Sequence, residues 1–368
     1  MIEVTIYTPA ELAHSSYVHT GLFELEKEKY LKCKIKLRLK KDLGTLEIRG
    51  SKINFSKRPQ PKTSFYDIKK ENKKIVKIAI DLYDDPSKFS IPALKKCDYI
   101  FKRNFQKKYI EKLPKKYSKK IFSFGLTAPC ITKYRHSTLK IYVGLITNLF
   151  LVNIKFDRLF FSRFVTVFNS FKSNYLFNKK NRDIETLRSV HPSTKNHVLF
   201  QTRCFENISS LDVNKINYER NKIISLLKNE LKLKFKGGFT KSKFANKYYK
   251  HNISKISSDP SLYFNELNAS QIVVYTKGLL TSPAWKMAEY LSKGKVILAE
   301  RLLTDLPFKL ENNKHLLYFN NSKDCAKKAK EILSNHRTIE KLSKNSRDYY
   351  NKYVDPPRNI KRIIEFIR

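Results

Sequence analysis

The chain has 368 residues, of which 41% are hydrophobic and 13% aromatic, enough to bury two cores and to exclude a disordered polycation. Lysine and arginine number 75 against 33 acidic residues, a formal net charge of +42. Such a field attracts polyanions (nucleic acid, acidic polysaccharide or an anionic membrane face), although abundant Lys, Asn and Ile make part of the excess compositional.

Ile2 to Tyr7 reads as an opening strand, followed by a polar loop from Thr8 to Thr20 and a helix from about Gly21 to Tyr30. That order is the first crossover of a doubly wound domain. The loop has no G-x-G-x-x-G fingerprint but holds His14 and His19. Ile35 to Leu39 and Thr45 to Ile48 are expected strands, RGSKINFSKRPQPKTS a basic loop, and Ile75 to Leu82 a buried strand. The acids after it, Asp81, Asp84 and Asp85, lack D-x-D spacing and any completing ligand set; a helix cap before Pro86 and a crevice-facing acid are the two readings. Leu94 to Phe105 reads as a short helix and a strand ending at Lys102 and Arg103, and Ile121 to Gly125 as another strand. Leu139 to Phe171 is the most apolar region, yet Lys140, Lys155, Arg158 and Arg163 make it too charged to span a bilayer. It is either a core helix pair or an interfacial element with arginines on anionic headgroups. Asn174 to Thr194 is polar, basic and linker-like, and the domain boundary is expected near residue 195.

His197 to Gln201 restarts the pattern, with Arg203 just past its carboxyl end. Asp212 to Leu231 is an amphipathic helix with Ile216, Ile223, Ile224, Leu227 and Leu231 on one side. Leu233 to Phe235 reads as a strand, Gly237-Gly238 as a tight or phosphate-accessible turn, and Asp259-Pro260 as the start of a helix carrying Tyr263 and Leu267. The organising stretch is QIVVYTKGLLTSPAWKMAEYLSKGKVILAE. Ile272 to Tyr275 and Val296 to Ala299 are buried parallel strands. Between them lies a loop jointed at Gly278, then a helix with Ser282 as cap and Pro283 in its first turn. Lys286, Glu289, Tyr290 and Lys293 share one face of that helix, and Met287 and Leu291 another. Ligands of open α/β sheets bind beyond the carboxyl ends of strands, against helix N-termini. A nucleotide diphosphate needs amides and a cation for its phosphates and a carboxylate for its ribose; an ordinary βαβ unit with a solvated charged face is the plainer reading. Ser322 to Ser334 and Arg337 to Tyr353 are helices, and Ile360, Ile363, Ile364 and Ile367 stripe a last one. Five cysteines without a C-x-x-C pair predict free thiols. MIEVTIYTPAEL lacks the layout of a signal peptide, so the expected location is cytoplasmic.

The segment from Gly278, with Ser282, Trp285-Lys286, Glu289-Tyr290-Leu291, Gly294-Lys295 and Ile297, resembles the nucleotide-sugar loop and helix of GT-B glycosyltransferases, bacterial family-4 enzymes in particular. The closing segment Asn345 to Tyr353, N-S-x-x-Y-Y-x-x-Y, fits as well. The resemblance runs from about His197 to the end and is architectural before it. It implies two Rossmann-like doubly wound α/β domains facing a cleft: 1–195 on the acceptor side, 196–354 binding the nucleotide-sugar, and 355–368 a helix crossing back to the first. It implies a donor diphosphate met without a metal or further cofactor by Lys286, Arg203 and amides near Ser282 and Gly278, with Glu289 on the ribose. His19 would be the acceptor's base, a role that suits an imidazole. The implied acceptor is a bacterial surface saccharide or lipid-linked precursor, as in lipopolysaccharide assembly, at the cytoplasmic membrane face. The family's glutamate pair is incomplete, since Glu289 matches the second and Thr281 stands at the first. That departure keeps open a catalytically inactive GT-B domain serving as an assembly partner. A basic nucleic-acid-binding protein is the rival from another class, and no RRM, KH, zinc-finger or helix-turn-helix signature supports it.

Overall fold

The computed structural model describes residues 1–9, 11–37, 44–57, 60, 62–71, 73–134, 139–153, 157–179, 182–206 and 211–367. Expectations for Leu39 and Lys155 fall outside these. The chain divides into two compact units: Met1–Glu185 with Thr304–Pro307 and the C-terminal stretch from Val354, and Thr186–Leu303 with Phe308–Tyr353.

The first unit carries strands β1 (Ile2–Tyr7), β2 (Leu31–Lys36), β3 (Thr45–Arg49), β4 (Lys52–Ser56), β5 (Thr63–Lys69), β6 (Val76–Asp81), β7 (Lys88–Ser90), β8 (Tyr99–Lys102) and β9 (Ile121–Ser123). Among the described residues the main sheet runs β2-β1-β5-β6-β8-β9, and β4-β3-β7 forms a small antiparallel sheet. Only β5 opposes its neighbours in the main sheet, with Thr5 facing Asp67 on one side and Phe65 facing Ala79 on the other. The basic-loop expectation for residues 49–64 is therefore corrected to strand β4 and the start of β5. Tyr66 and Ile68 alternate into the core while Lys69 points out, a period-two signal masked by flanking lysines. β4 is exposed except at half-buried Ile53, a lysine-flanked edge strand.

The first helix also differs from expectation. It spans Ser15–Lys27, so His19 lies inside it rather than before it. The Glu11 carboxylate accepts the His14 amide at 3.0 Å and organises the entry, and residues 15–25 are all buried. The terminal helix Pro356–Phe366 packs on it at Gly21, where an added Cβ would lie 2.6 Å from the Ile360 side chain. Tyr17 Oη donates to the Val354 carbonyl at 2.6 Å and accepts from Asn359 Nδ2 at 3.2 Å. The acids after β6 do not cap a helix. Asp85 accepts the Ser87 amide and hydroxyl, Ser90 caps the helix Ile91–Lys96, Asp81 pairs with buried Lys102 at 2.9 Å, and Asp84 pairs with Arg103 and Lys62.

The second unit holds β10 (Val198–Thr202), β11 (Phe235–Phe239), β12 (Ile272–Tyr275), β13 (Val296–Ala299) and β14 (Leu317–Tyr318) in the order β11-β10-β12-β13-β14, all parallel. Ile223, Ile224 and Leu227 of the helix Leu211–Leu231 and Ala326 and Ala329 of Ser322–Leu333 cover one face of this sheet, against Val198, Val274 and Leu298. Leu199, Val273 and Ile297 alternate to the other face, against which the helix Trp285–Ser292 packs. The unit is thus a doubly wound α/β domain, as expected. Gly237-Gly238 sits within β11 and not in a phosphate-accessible turn: a Cβ at Gly237 would lie 2.1 Å from the Phe200 carbonyl oxygen of β10.

Three cations fasten the segment entering this unit. Lys293 Nζ donates to the carbonyls of Thr186 and Ser189, Lys295 Nζ to those of Asn268 and Ser270 and to Ser193 Oγ, and Arg347 to those of Leu187, Arg188 and Ser292. Burial pushes both lysines down to about 8, helped at Lys293 by Arg347 and at Lys295 by Lys293. An unfolded lysine keeps its proton up to its ordinary value of 10.5, so above pH 8 the unfolded chain binds more protons and these groups stabilise the fold increasingly as pH rises. Buried Cys204, Cys325, Tyr17 and Tyr290, whose pKa values burial raises, reverse the trend once unfolded cysteine and then tyrosine ionise, from about pH 9 upward. The melting temperature should therefore climb between about pH 7.5 and about pH 8.5, and a Lys293→Met, Lys295→Met variant should show no climb there. A falling curve in the unmodified protein would refute the assignment.

Candidate functional site

In the second unit β11 and β12 flank β10 on opposite sides, so the order of crossovers reverses at β10. That reversal opens a crevice at the carboxyl ends of β10 and β12, the place where open α/β sheets take ligands. Two loops meet there, residues 203–205 and 276–283.

Arg220, 4% exposed on the helix Leu211–Leu231, joins them. Its Nε donates to Thr276 Oγ1 at 3.0 Å, one terminal nitrogen to the Arg203 carbonyl at 2.6 Å, and the other to the Lys277 carbonyl at 2.9 Å. The guanidinium also lies 4.8 Å from the Phe205 ring centroid. Burial lowers its pKa to about 10, a shift that Glu300 opposes, so it stays charged. One turn earlier, Asn217 accepts the Phe205 amide at 3.0 Å and donates to the Phe205 carbonyl at 2.8 Å. Sequence reading missed both residues. The available signal was positional: they fall between Ile216 and Ile223 on the stripe that faces the sheet, where polar groups occur only with partners.

The second loop is held by backbone geometry. The Gly278 amide donates to the Ser282 carbonyl at 3.0 Å, and the Ser282 amide to the Leu279 carbonyl at 3.0 Å. Leu280 and Thr281 adopt left-handed φ values of 53° and 60°. Such conformations cost a non-glycine residue on the order of 1–3 kcal/mol each. Gly278 itself has φ −79°, so it is needed for space rather than as a joint: a Cβ would sit 2.8 Å from Ser282 Oγ. Ser282 is not the helix cap. The helix starts at Trp285 after Ala284, whose amide donates to Tyr275 Oη at 2.9 Å, and Pro283 precedes the first turn. Glu300, at the end of β13, accepts the Lys277 amide at 2.9 Å.

Arg203 is exposed at the end of β10, its carbonyl fixed by Arg220 and its guanidinium 5.8 Å from the Phe205 ring. Lys286 is half-buried with its ammonium 3.9 Å from the ring centroid of Tyr263 on the helix Pro260–Ala269. Glu289 is 3% exposed one turn on. Tyr290 and Lys293 are also buried, which corrects the expectation of a solvated charged face: the helix is enclosed nearly all round. Arg203, Gly278, Ser282, Lys286 and Glu289 thus all belong to the loops and helix at this reversal. His19 lies in the other unit, 4% exposed and 6.3 Å from the ring centroids of Phe23 and Tyr66. Burial pushes its pKa down to about 4, and its Nε2 has no hydrogen-bond partner among the described residues. The poised pKa expected of it is absent.

No protein-family model matches the chain, and no curated protein does. Among solved structures it is similar to a glycosyltransferase from Rickettsia africae (TM-score 0.39, 14% identity, 75% of this chain and 64% of that one). It is similar to Anabaena HepE in complex with UDP and glucose (TM-score 0.40, 9% identity, 74% and 63%). It is also similar to the C-terminal domain of the Francisella tularensis group 1 glycosyl transferase LpcC (TM-score 0.32, 13% identity, 45% and 88%). The chain spans under two thirds of the first two proteins.

Removing the Arg220 guanidinium leaves Thr276 Oγ1 and two loop carbonyls unpaired. Arg220→Met should destabilise the second unit by about 2–3 kcal/mol in urea titration, with Arg220→Lys recovering part of that. Equal stability of all three proteins would show that the loops are held by other means.

Proposed function

We propose that the chain is a GT-B glycosyltransferase that transfers a sugar from a nucleotide-diphospho-sugar to a bacterial surface saccharide or its lipid-linked precursor, without a metal. The observation that carries this reading is the crevice at the β10 reversal, where an exposed arginine, a constrained loop, a helix N-terminus and a helix-borne lysine and carboxylate belong to one set of elements.

In this reading the diphosphate lies beside the loop of residues 276–283, at the start of the helix Trp285–Ser292. Arg203 and Lys286 meet the charge that develops on the leaving phosphate, Lys286 by turning from the Tyr263 ring. Glu289 takes the ribose hydroxyls, a positioning role. On the acceptor side His19 offers a neutral imidazole, but a pKa near 4 makes it a weak base. His19→Gln should accordingly lower kcat by less than about tenfold, and a loss of about a thousandfold would show that the histidine is poised differently in the complex.

Thr281, standing where family-4 enzymes carry their first glutamate, favours a second reading in which the crevice binds a donor without turning it over. Thermal unfolding with UDP-, GDP- and CDP-sugars and with RNA tests both. One nucleotide class should raise the melting temperature and RNA should not. Lys286→Ala and Glu289→Ala should each weaken that ligand by about ten- to a hundredfold while remaining folded. Protection retained in both variants would overturn the site, RNA protection alone would favour the nucleic-acid reading, and protection without sugar transfer would identify an inactive domain.

A further inference from the structure

The first unit carries a pair of helices, Leu139–Asn153 and Phe160–Lys179, planted beside the exit of β1. Asn148 Nδ2 donates to the Thr8 carbonyl at 3.1 Å, Gly144 lies so close that a Cβ would meet the Thr8 side chain at 2.3 Å, and Asn174 Oδ1 accepts the Leu12 amide at 2.8 Å. Ile141, Leu145 and Val167 are fully buried inside, and Tyr142 packs on Tyr175 between the helices at 5.6 Å. The outward face is apolar as well. Phe161, Phe164, Val165 and Phe168 are spaced along one side of the second helix at 81%, 44%, 56% and 56% exposure. Leu159 is exposed just before them, and Leu139 and Val143 are exposed on the first helix. An exposed apolar stripe of this kind marks an interaction surface.

Its charge identifies the occupant. Between residues 139 and 179 the one acid is Asp157, and Arg163 occupies it at 2.8 Å. Lys140, Lys172 and Lys179 are exposed on the same two helices and Arg158 in the turn just before the second. A second copy of the chain would bring like charges face to face, and a protein partner's dry core disfavours lysine. An apolar strip flanked by exposed cations, its one nearby acid paired with Arg163, fits an anionic bilayer, with rings at the acyl boundary and basic groups on phosphates. No described helix is long and apolar enough to cross a membrane.

We propose that the outer face of the helices Leu139–Asn153 and Phe160–Lys179 docks in the plane of an anionic phospholipid surface. This deepens the proposed function and rests on it for one purpose, holding a lipid-linked acceptor near the carboxyl end of β1; the docking itself does not depend on it.

The test is flotation of the full chain with vesicles of phosphatidylglycerol in phosphatidylcholine, against phosphatidylcholine alone. The protein should float with the anionic vesicles only. Phe161→Ser, Phe168→Ser, which leaves the net charge unchanged, should cut the bound fraction to about a tenth, as should Arg158→Glu, Lys172→Glu. Both variants change exposed side chains and should keep the wild-type melting temperature and its protection by the nucleotide-sugar, so failure of donor binding and failure of docking read out separately. Absence of flotation, or flotation untouched by the phenylalanine pair, would overturn the proposal. So would a concentration-dependent dimer in sedimentation that Phe161→Ser abolishes, since the face would then belong to a second copy.

Discussion

The second unit depends on one buried cation. Arg220 satisfies acceptors on two separate loops with a single planar group, and those loops are the ones the sheet's reversal brings together. Desolvating a guanidinium is costly, and a well-packed apolar residue in its place would often stabilise a core as well or better. An apolar side chain, however, would leave the Arg203 and Lys277 carbonyls and Thr276 Oγ1 to find other partners, and the loops would be free to part. The guanidinium therefore contributes stability and geometry through the same three hydrogen bonds. Cation–ring contact with Phe205, itself pinned by Asn217, restricts the remaining freedom of the first loop.

Much of this was legible where burial is two-sided. The runs Ile272–Tyr275 and Val296–Ala299 have the same limits in sequence and structure because a parallel strand covered on both faces leaves nothing but apolar residues to read. The helix Leu211–Leu231 was legible for the same reason, its buried stripe interrupted only at Asn217 and Arg220. What was not legible depended on partners distant in sequence. The start of Ser15–Lys27 reads as polar loop because Ser15, Ser16 and Thr20 are buried by tertiary contacts that no local pattern announces; Thr20, for example, donates to the Cys130 carbonyl. β5 was hidden because an antiparallel strand inserted between β1 and β6 is specified by pairing, not by its own mixed composition. At the candidate site the sequence located the elements but misassigned their mechanics. Space at Gly278, not flexibility, and the Tyr275 hydroxyl, not Ser282, set the loop and the helix entry.

The basic composition sorts into distinct physical roles. Lys102, Lys293 and Lys295 are structural: each is buried and spends its donors on carboxylate or carbonyl oxygens. Arg203 and Lys286 belong to the crevice elements, and the exposed cations of residues 139–179 surround apolar side chains. A net charge of +42 therefore needs no single polyanionic partner to account for it. Long-range attraction would raise encounter rates with any anionic surface, whereas the bound geometry is set by the few cations that short-range packing holds in place.

The loop of residues 276–283 shows how such packing can favour a ligand. Two consecutive non-glycine residues in the left-handed region store energy on the order of 1–3 kcal/mol each, retained because the Gly278–Ser282 hydrogen bond, the Glu300 contact with the Lys277 amide and the Arg220 clamp overdetermine the path. A loop relaxed by glycine at position 280 would lose that strain in the free protein but also gain conformations that the present path excludes. Ordering the loop again would then be charged against ligand affinity. Strain and the buried arginine are thus two parts of the same constraint, the first bending the loop into a rarely populated path and the second preventing it from leaving.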